Sequence, residues 1–199
     1  MRGPIDRLTE SLPPPWPTVV DWTVTIVVAV GAVLAIKAWV VNPYRIPSPS
    51  MEPTLHCAEP QPGCHAGFSD RVLANRFIYH FRDPERSEVV VFETPPEARE
   101  RCGAGGTFVK RIIGLPGDRL VQANGVLRVN GQRIAESYLE NQARPGDDFR
   151  TRVPAGQYFM MGDNRAESCD SRVWGAVPRE NLIGPVFAVY WPPQRIGIR

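Results

Sequence analysis

A continuous apolar run near the N-terminus sets the first limit on how this chain can fold. Residues 19–41, VVDWTVTIVVAVGAVLAIKAWVV, carry only Asp21 and Lys37 as charges, each close to one end. As a helix rising about 1.5 Å per residue, the stretch is roughly 34 Å long, enough to cross the hydrocarbon core of a bilayer. Its charge-free centre, residues 22–36, is short for a span, so Lys37 has to snorkel, while Trp22 and Trp39 stand where interfacial anchors do. The bland alternative is a cleaved secretory signal. Against it, the run is long for such a segment, and the preceding Pro-Pro-Pro-Trp-Pro lacks a strongly basic lead-in. An uncleaved anchor over 18–41 is therefore expected, behind a short cytoplasmic tail, 1–17.

Orientation rests on weaker signals. Arg2 and Arg7 before the span, against Lys37 and Arg45 after it, favour a cytoplasmic N-terminus only slightly. All four cysteines, Cys57, Cys64, Cys102 and Cys169, follow the span, where an oxidising exterior permits disulfides. Residues 42–199 are thus expected outside the cell membrane, with membrane lipid as the chain's first partner. A net charge of +2 is too near neutral for a dedicated nucleic-acid binder, and no nucleic acid is expected.

The exterior segment is long enough to bury a core, and its pattern is β. With 21 prolines and 17 glycines, the chain reads as rich in turns. Short runs rich in Val, Ile and Phe, bounded by Gly, Pro or Asp, predict strands at 71–75, 88–92, 108–113, 119–122, 126–129, 132–135, 157–161 and 186–190. Asn124-Gly125 and Asn130-Gly131 sit between alternating runs and predict two tight hairpins, because a type I′ turn needs positive φ at both central residues. The fold class expected is mostly β: an N-terminal transmembrane helix, then an antiparallel domain with a small β-meander inserted over 118–155. Beyond the anchor, only 95–101 suggests a turn or two of helix.

Three blocks carry candidate chemistry: Arg45-Ile-Pro-Ser-Pro-Ser-Met-Glu-Pro-Thr54, Phe108-Val-Lys-Arg-Ile-Ile-Gly-Leu-Pro-Gly-Asp118 and Gly162-Asp-Asn-Arg-Ala-Glu-Ser-Cys-Asp-Ser-Arg172. In a strand, Lys110 shares a face with Phe108 and Ile112 while Arg111 points the other way. Apolar neighbours desolvate an ammonium and lower its pKa, and a neutral amine can act as a general base near pH 7. Arginine cannot fill that role. Of the 23 basic residues only Lys37 and Lys110 are lysines, which suggests that the amine itself is wanted at 110. Taken alone, a strand lysine is more often a solvated surface charge. Pro47 and Pro49 hold Ser48 and Ser50 on a stiff, extended stretch. That block alone also reads as a juxtamembrane linker.

Together, in this order and spacing, the blocks resemble the type I signal peptidases, a Ser/Lys-dyad family of bacterial leader peptidases. The resemblance runs from about Trp39 to the Tyr190-Trp-Pro-Pro-Gln-Arg-Ile-Gly197 segment. It implies a membrane-bound serine endopeptidase that removes signal peptides from exported preproteins after small residues, Ala-x-Ala, beside the export translocon. No cofactor and no metal would take part. Ser50 would be the nucleophile, Lys110 the general base, and Ser48 with the Ser50 N–H the oxyanion hole. Ser168 would hold the lysine amine, Asp170 and Arg172 would support that loop as an ion pair, and Ile46, Phe108 and Val109 would line the substrate pockets. The chain departs from the family at Pro49, at Ala166-Glu167, at Ser69-Asp70, and in a longer connection over 57–68. None of these removes the dyad.

Rival readings exist. His56, His65 and His80 fit no recognisable triad motif, which weighs against a Ser-His-Asp hydrolase. Self-cleaving repressor-type peptidases of the Ser/Lys clan lack an anchor. A non-catalytic, membrane-tethered peptide-binding β module that assists secretion is the remaining alternative. In the His56-Cys57…Cys64-His65 segment, six residues separate the cysteines, more than the usual zinc-ligand spacing. Pro60, Pro62 and Gly63 favour a reversal that brings the sulfurs together, so a Cys57–Cys64 disulfide is expected ahead of free thiols or a metal site. Whether Cys102 and Cys169 pair is left open.

Overall fold

The computed structural model describes residues 13, 15–39, 41–103, 105–139 and 148–198, with side chains described at all of these except 35–39. Most of the expected tail, with Arg2 and Arg7, lies outside the described residues, as do the side chains of Lys37 and Trp39. The chain divides into two compact units, Met1–Val41 and Asn42–Arg199.

The first unit contains one helix, α1 (Trp16–Trp39). Pro17 suits its first turn, where a missing N–H costs nothing. The polar hydroxyls inside it are satisfied locally: Thr23 Oγ1 donates to the Val19 carbonyl at 2.7 Å and Thr25 Oγ1 to that of Asp21 at 2.8 Å. Trp22, Ile26, Val27, Val28, Val30, Val33 and Leu34 are exposed. Residues Trp16–Leu34 are long and apolar enough to span a membrane, and such a bare apolar surface is what lipid covers. Val41, assigned to the span from its hydropathy, instead opens strand β1 (Val41–Arg45).

The second unit is built on an antiparallel sheet. Its strands are β1, β2 (Arg71–Asn75), β3 (Val89–Glu93), β4 (Thr107–Gly114), β9 (Gln157–Met161), β10 (Val177–Pro178), β11 (Leu182–Trp191) and β12 (Gly197–Ile198). Their order is β1-β2-β11-β3-β4-β9-β10, with β12 on β11. A second sheet, in the order β7-β6-β5-β8, is formed by β5 (Arg119–Ala123), β6 (Val126–Val129), β7 (Gln132–Arg133) and β8 (Phe149–Arg152). It lies within the expected insertion. Its hairpins turn at Asn124-Gly125 (φ 50° and 73°) and Asn130-Gly131 (φ 52° and 86°), the left-handed pairs that type I′ geometry demands.

Four strands were not legible beforehand. Pro43 in β1 and Pro178 in β10 remove ladder donors and confine both to edges, which hides them from a propensity reading. Strand β8, Phe-Arg-Thr-Arg, has one apolar residue, and β12 has two residues in all. Helix α2 (Pro96–Cys102) fills the expected 95–101 turns and ends on Gly103 at φ 66°, while the short α3 (Ser171–Trp174) was unforeseen.

Alternation along β4 distributes its side chains among three cores. Val109 packs with Ile46, Met51, Leu55 and Val186; Phe108 and Ile112 pack with Val90, Phe92, Met160 and Trp174; Ile113 packs with Leu120, Leu127 and Met161 under the second sheet. Lys110 thus emerges from a strand flanked by all three cores.

Candidate active site

The three sequence blocks meet around β4. Ser48 is extended (φ −135°, ψ 156°) and Pro49 begins a 3₁₀ turn, Pro49–Met51, whose first position suits proline. This turn buries Ser50 and Met51. The Glu52 N–H donates to the Pro49 carbonyl at 3.0 Å. The Ser50 N–H precedes that donor and belongs to the end of the turn whose N–H groups have no intrahelical acceptor.

Lys110 is 3% exposed and Ser50 7%, and the Lys110 Nζ donates a hydrogen bond to Ser50 Oγ. Burial pushes the amine's pKa down from 10.5 to about 8. The Asp170 and Asp163 carboxylates pull the other way, and Arg172 adds to the lowering. Desolvation outweighs these charges, so a substantial share of the amine is neutral in mildly alkaline solution. Ser48 Oγ lies 3.1 Å from Ser50 Oγ.

The third block closes over this pair. The Asn164 N–H donates to the Ser50 carbonyl at 3.1 Å. Gly162 passes so close that a Cβ there would collide with the Ser50 carbonyl oxygen and with Ser168 Oγ. Asp170, fully buried, accepts from the Gly162 N–H at 3.0 Å and pairs with Arg172 Nε at 2.8 Å. Arg172 in turn donates to the Arg165 and Ser168 carbonyls at 2.8 and 3.2 Å, bracing the loop end to end. Ser168 Oγ is buried with no hydrogen-bond partner among the described residues, so its expected bond to the lysine amine is not made in this structure.

One anchor escaped the sequence reading. The Asp163 carboxylate accepts from Arg111 Nε at 2.8 Å and from Thr54 Oγ1 at 2.5 Å. It ties the serine, lysine and loop blocks together at one buried point. Arg111 also donates to the Ser87 carbonyl at 2.7 Å and lies 4.0 Å from the Tyr138 ring centroid. The Lys110-Arg111 alternation told only that the permanent cation faces away from the titratable one, and gave no sign of its partner.

A cavity of about 490 Å³ opens beside Ser50, with Ile46, Phe108 and Val109 among its lining residues. Tyr44, Arg45 and Pro47 supply further wall on one side, and Gly105 and Thr107 on another. Strand β9 pairs with β4 only from Arg111 to Gly114, so the Thr107–Lys110 stretch of that edge has no strand partner among the described residues. Both cysteine pairs are bonded, with Cα–Cα separations of 5.1 Å for Cys57–Cys64 and 6.1 Å for Cys102–Cys169. The first bond leaves no thiolate at that loop for a metal, and Gln61 from the loop lines the cavity. The second, left open by the sequence, joins α2 to the loop of Ser168, and both its cysteines line the cavity.

Comparison with known proteins extends this geometry to a lineage. The family described as signal peptidase, peptidase S26, matches residues 19–191. A probable signal peptidase I-2 of Synechocystis sp. is 40% identical, over 93% of this chain and 79% of its own length. Signal peptidase I of Leptolyngbya laminosa is 33% identical over 99% and 96%, and that of Bacillus amyloliquefaciens 33% over 89% and 91%. A match that begins within the apolar helix and reaches the end of β11 takes in all three blocks, and it makes this chain a member of the signal peptidase family S26.

Proposed function

We propose that this protein is a membrane-anchored serine endopeptidase that cuts signal peptides from exported preproteins, with Ser50 as nucleophile and Lys110 as general base. The observation that carries the reading is the buried contact between the Lys110 amine and Ser50 Oγ. A neutral amine takes the Ser50 hydroxyl proton as Oγ attacks the scissile carbonyl carbon. The Ser50 N–H and the Ser48 hydroxyl then stabilise the oxyanion. The ammonium so formed returns its proton to the leaving amine, and water, activated by the same lysine, hydrolyses the acyl-enzyme. Ser168, with its spare hydroxyl, is the proposed positioning group for the amine. Asp170 and Arg172 keep its loop in register. The chemistry requires neither cofactor nor metal.

Substrate would lie as an added strand along the open Thr107–Lys110 edge, its backbone held by the ladder and alternate side chains directed toward Ile46, Phe108 and Val109. Shallow apolar walls favour small residues at the position before the cut and two positions earlier. Helix α1 would be the single-pass anchor, with a cytoplasmic N-terminus and the catalytic unit outside, where the two disulfides are stable. A peptide-binding module without catalysis has no use for a buried, pKa-lowered lysine against a serine hydroxyl.

Detergent-solubilised protein is expected to cleave a peptide bearing Ala-x-Ala at its C-terminal alanine. Replacing that alanine by phenylalanine should lower kcat/KM by about a hundredfold or more, while changing the middle residue should have little effect. An enzyme indifferent to the first change belongs to another specificity class. The pH–rate profile checks the base. Because the neutral amine is the active form, kcat/KM should fall about tenfold per pH unit below about 8 and level off above it.

A further inference from the structure

The inserted sheet turns one face inward and the other to solvent. Leu120, Leu127 and Val129 point into the core beneath it, so their neighbours along the pleat point out. The strand registers align those outward positions. Arg133 stands opposite Arg128, Arg128 opposite Val121, and Val121 opposite Arg150, a row that crosses all four strands; Arg119 stands opposite Arg152 in the next row. All five arginines are exposed. Among the described residues, none of them pairs with a carboxylate; Arg128 donates to the Gly131 carbonyl at 3.5 Å. The acid beside β8, Asp148, accepts the Asn124 N–H at 3.0 Å at the hairpin end of the sheet.

Like charges directly opposite each other weaken a sheet, and a face that only needs solvation mixes its signs. Two cross-strand Arg–Arg pairs on a chain with a net charge of +2 are therefore a concentration that an anionic partner would relieve. Arg119, Val121, Arg150, Thr151 and Arg152 line an open depression on this face. Guanidinium forks match phosphate oxygens two at a time. An acidic peptide strand would cover one row of such an array, whereas a plane of headgroups meets every row at once. The same chain carries a helix fit to span a membrane, so a bilayer is the anionic surface always within reach.

We infer that the outer face of the inserted sheet docks on the anionic phospholipid headgroups of the membrane that holds α1. The inference rests on the reading of α1 as an anchor. The attraction acts over about one Debye length and is screened by salt.

The test uses the full chain in lipid nanodiscs, either phosphatidylcholine alone or with a third of the lipid as phosphatidylglycerol. Val121, at the centre of the array, is replaced by the photo-crosslinking residue p-benzoylphenylalanine, and lipid adducts are counted by mass spectrometry. At least fivefold more adduct is expected in the anionic discs, a gain abolished by molar salt and by Arg150→Gln with Arg152→Gln. These exposed substitutions should leave cleavage of a soluble peptide in detergent unchanged, which verifies folding. Equal adduct yields in the two lipids, or yields indifferent to the arginines, overturn the inference. An adduct that forms in native membranes with a protein in place of lipid gives the face to an acidic partner and overturns it too. Retention in neutral discs after alkaline washing reads the anchor alone. A chain lost from those discs that still gives arginine-dependent adducts in anionic ones removes the anchor and keeps the docking.

Discussion

Ser50→Ala and Lys110→Met should each reduce preprotein cleavage by about four orders of magnitude or more, and the double variant should be no worse than either, because nucleophile and base act as one unit. Lys110→Arg should be equally inactive, since it retains the charge but cannot accept the proton. Single-turnover assays on folded, purified variants check this, and substantial activity in Lys110→Arg would remove lysine from the mechanism. Lys110→Met also has a stability signature. The folded-state pKa of about 8 lies below the ordinary 10.5, so the unfolded chain binds the proton more tightly. The cost of burying the ammonium is fully present below about pH 8 and fades as the pH rises toward 10.5. Lys110→Met should therefore melt at or above the parent temperature at neutral pH, with the advantage shrinking in alkali.

Gly162→Ala is expected to cost at least a hundredfold in kcat with little change in overall fold. A methyl group at 162 meets the Ser50 carbonyl oxygen, which is backbone, and Ser168 Oγ. The Ser168 hydroxyl can rotate away, but Ser168 Cβ and the Ser50 carbonyl can retreat only by moving backbone, the latter with the turn that carries the proposed nucleophile. The displaced turn would also loosen the Asn164 N–H bond to that carbonyl. A displacement of about 1 Å at a reacting atom suffices for a loss of this size. Circular dichroism and kcat on the same preparation separate misfolding from misalignment, and wild-type kcat in Gly162→Ala would show that the loop is not the constraint described here.

How much of this could be read from the chain alone follows from what each feature depends on. The hairpins at Asn124-Gly125 and Asn130-Gly131 were legible because their conformation is decided by two adjacent residues. Lys110 was legible only in part: a chain that writes positive charge as arginine used a lysine between apolar neighbours, but its pairing with Ser50 was implied by the resemblance of the three blocks together. The Thr54–Asp163–Arg111 node was not, because its partners lie far apart and no local pattern marks a residue for a contact 109 positions away. The Cys102–Cys169 link, across 67 positions, was open for the same reason. Ser168 illustrates a different limit: its neighbourhood was foreseen, whereas its hydroxyl lies buried and unpaired while the Lys110 amine bonds Ser50 Oγ, an orientation the sequence does not set.

Strand β11 has a consequence for when, along the growing chain, this protease can exist. It pairs with β3 through Leu182–Pro185 and with β2 through Val186–Trp191, and is the one splice in the sheet order between the β1-β2 side and the β3-β4-β9-β10 side. Ser50 follows the first strand of one side and Lys110 belongs to the other. Pairings between distant segments are slow to form, since loop closure precedes any reward. A nascent chain that has exposed both residues but not yet β11 holds the proposed nucleophile and base on half-sheets that no strand yet joins, bridged only by contacts such as Thr54–Asp163–Arg111. If Ser50 and Lys110 form the proposed dyad, cleavage activity is expected to appear only once β11 has emerged and both sides of the sheet are joined.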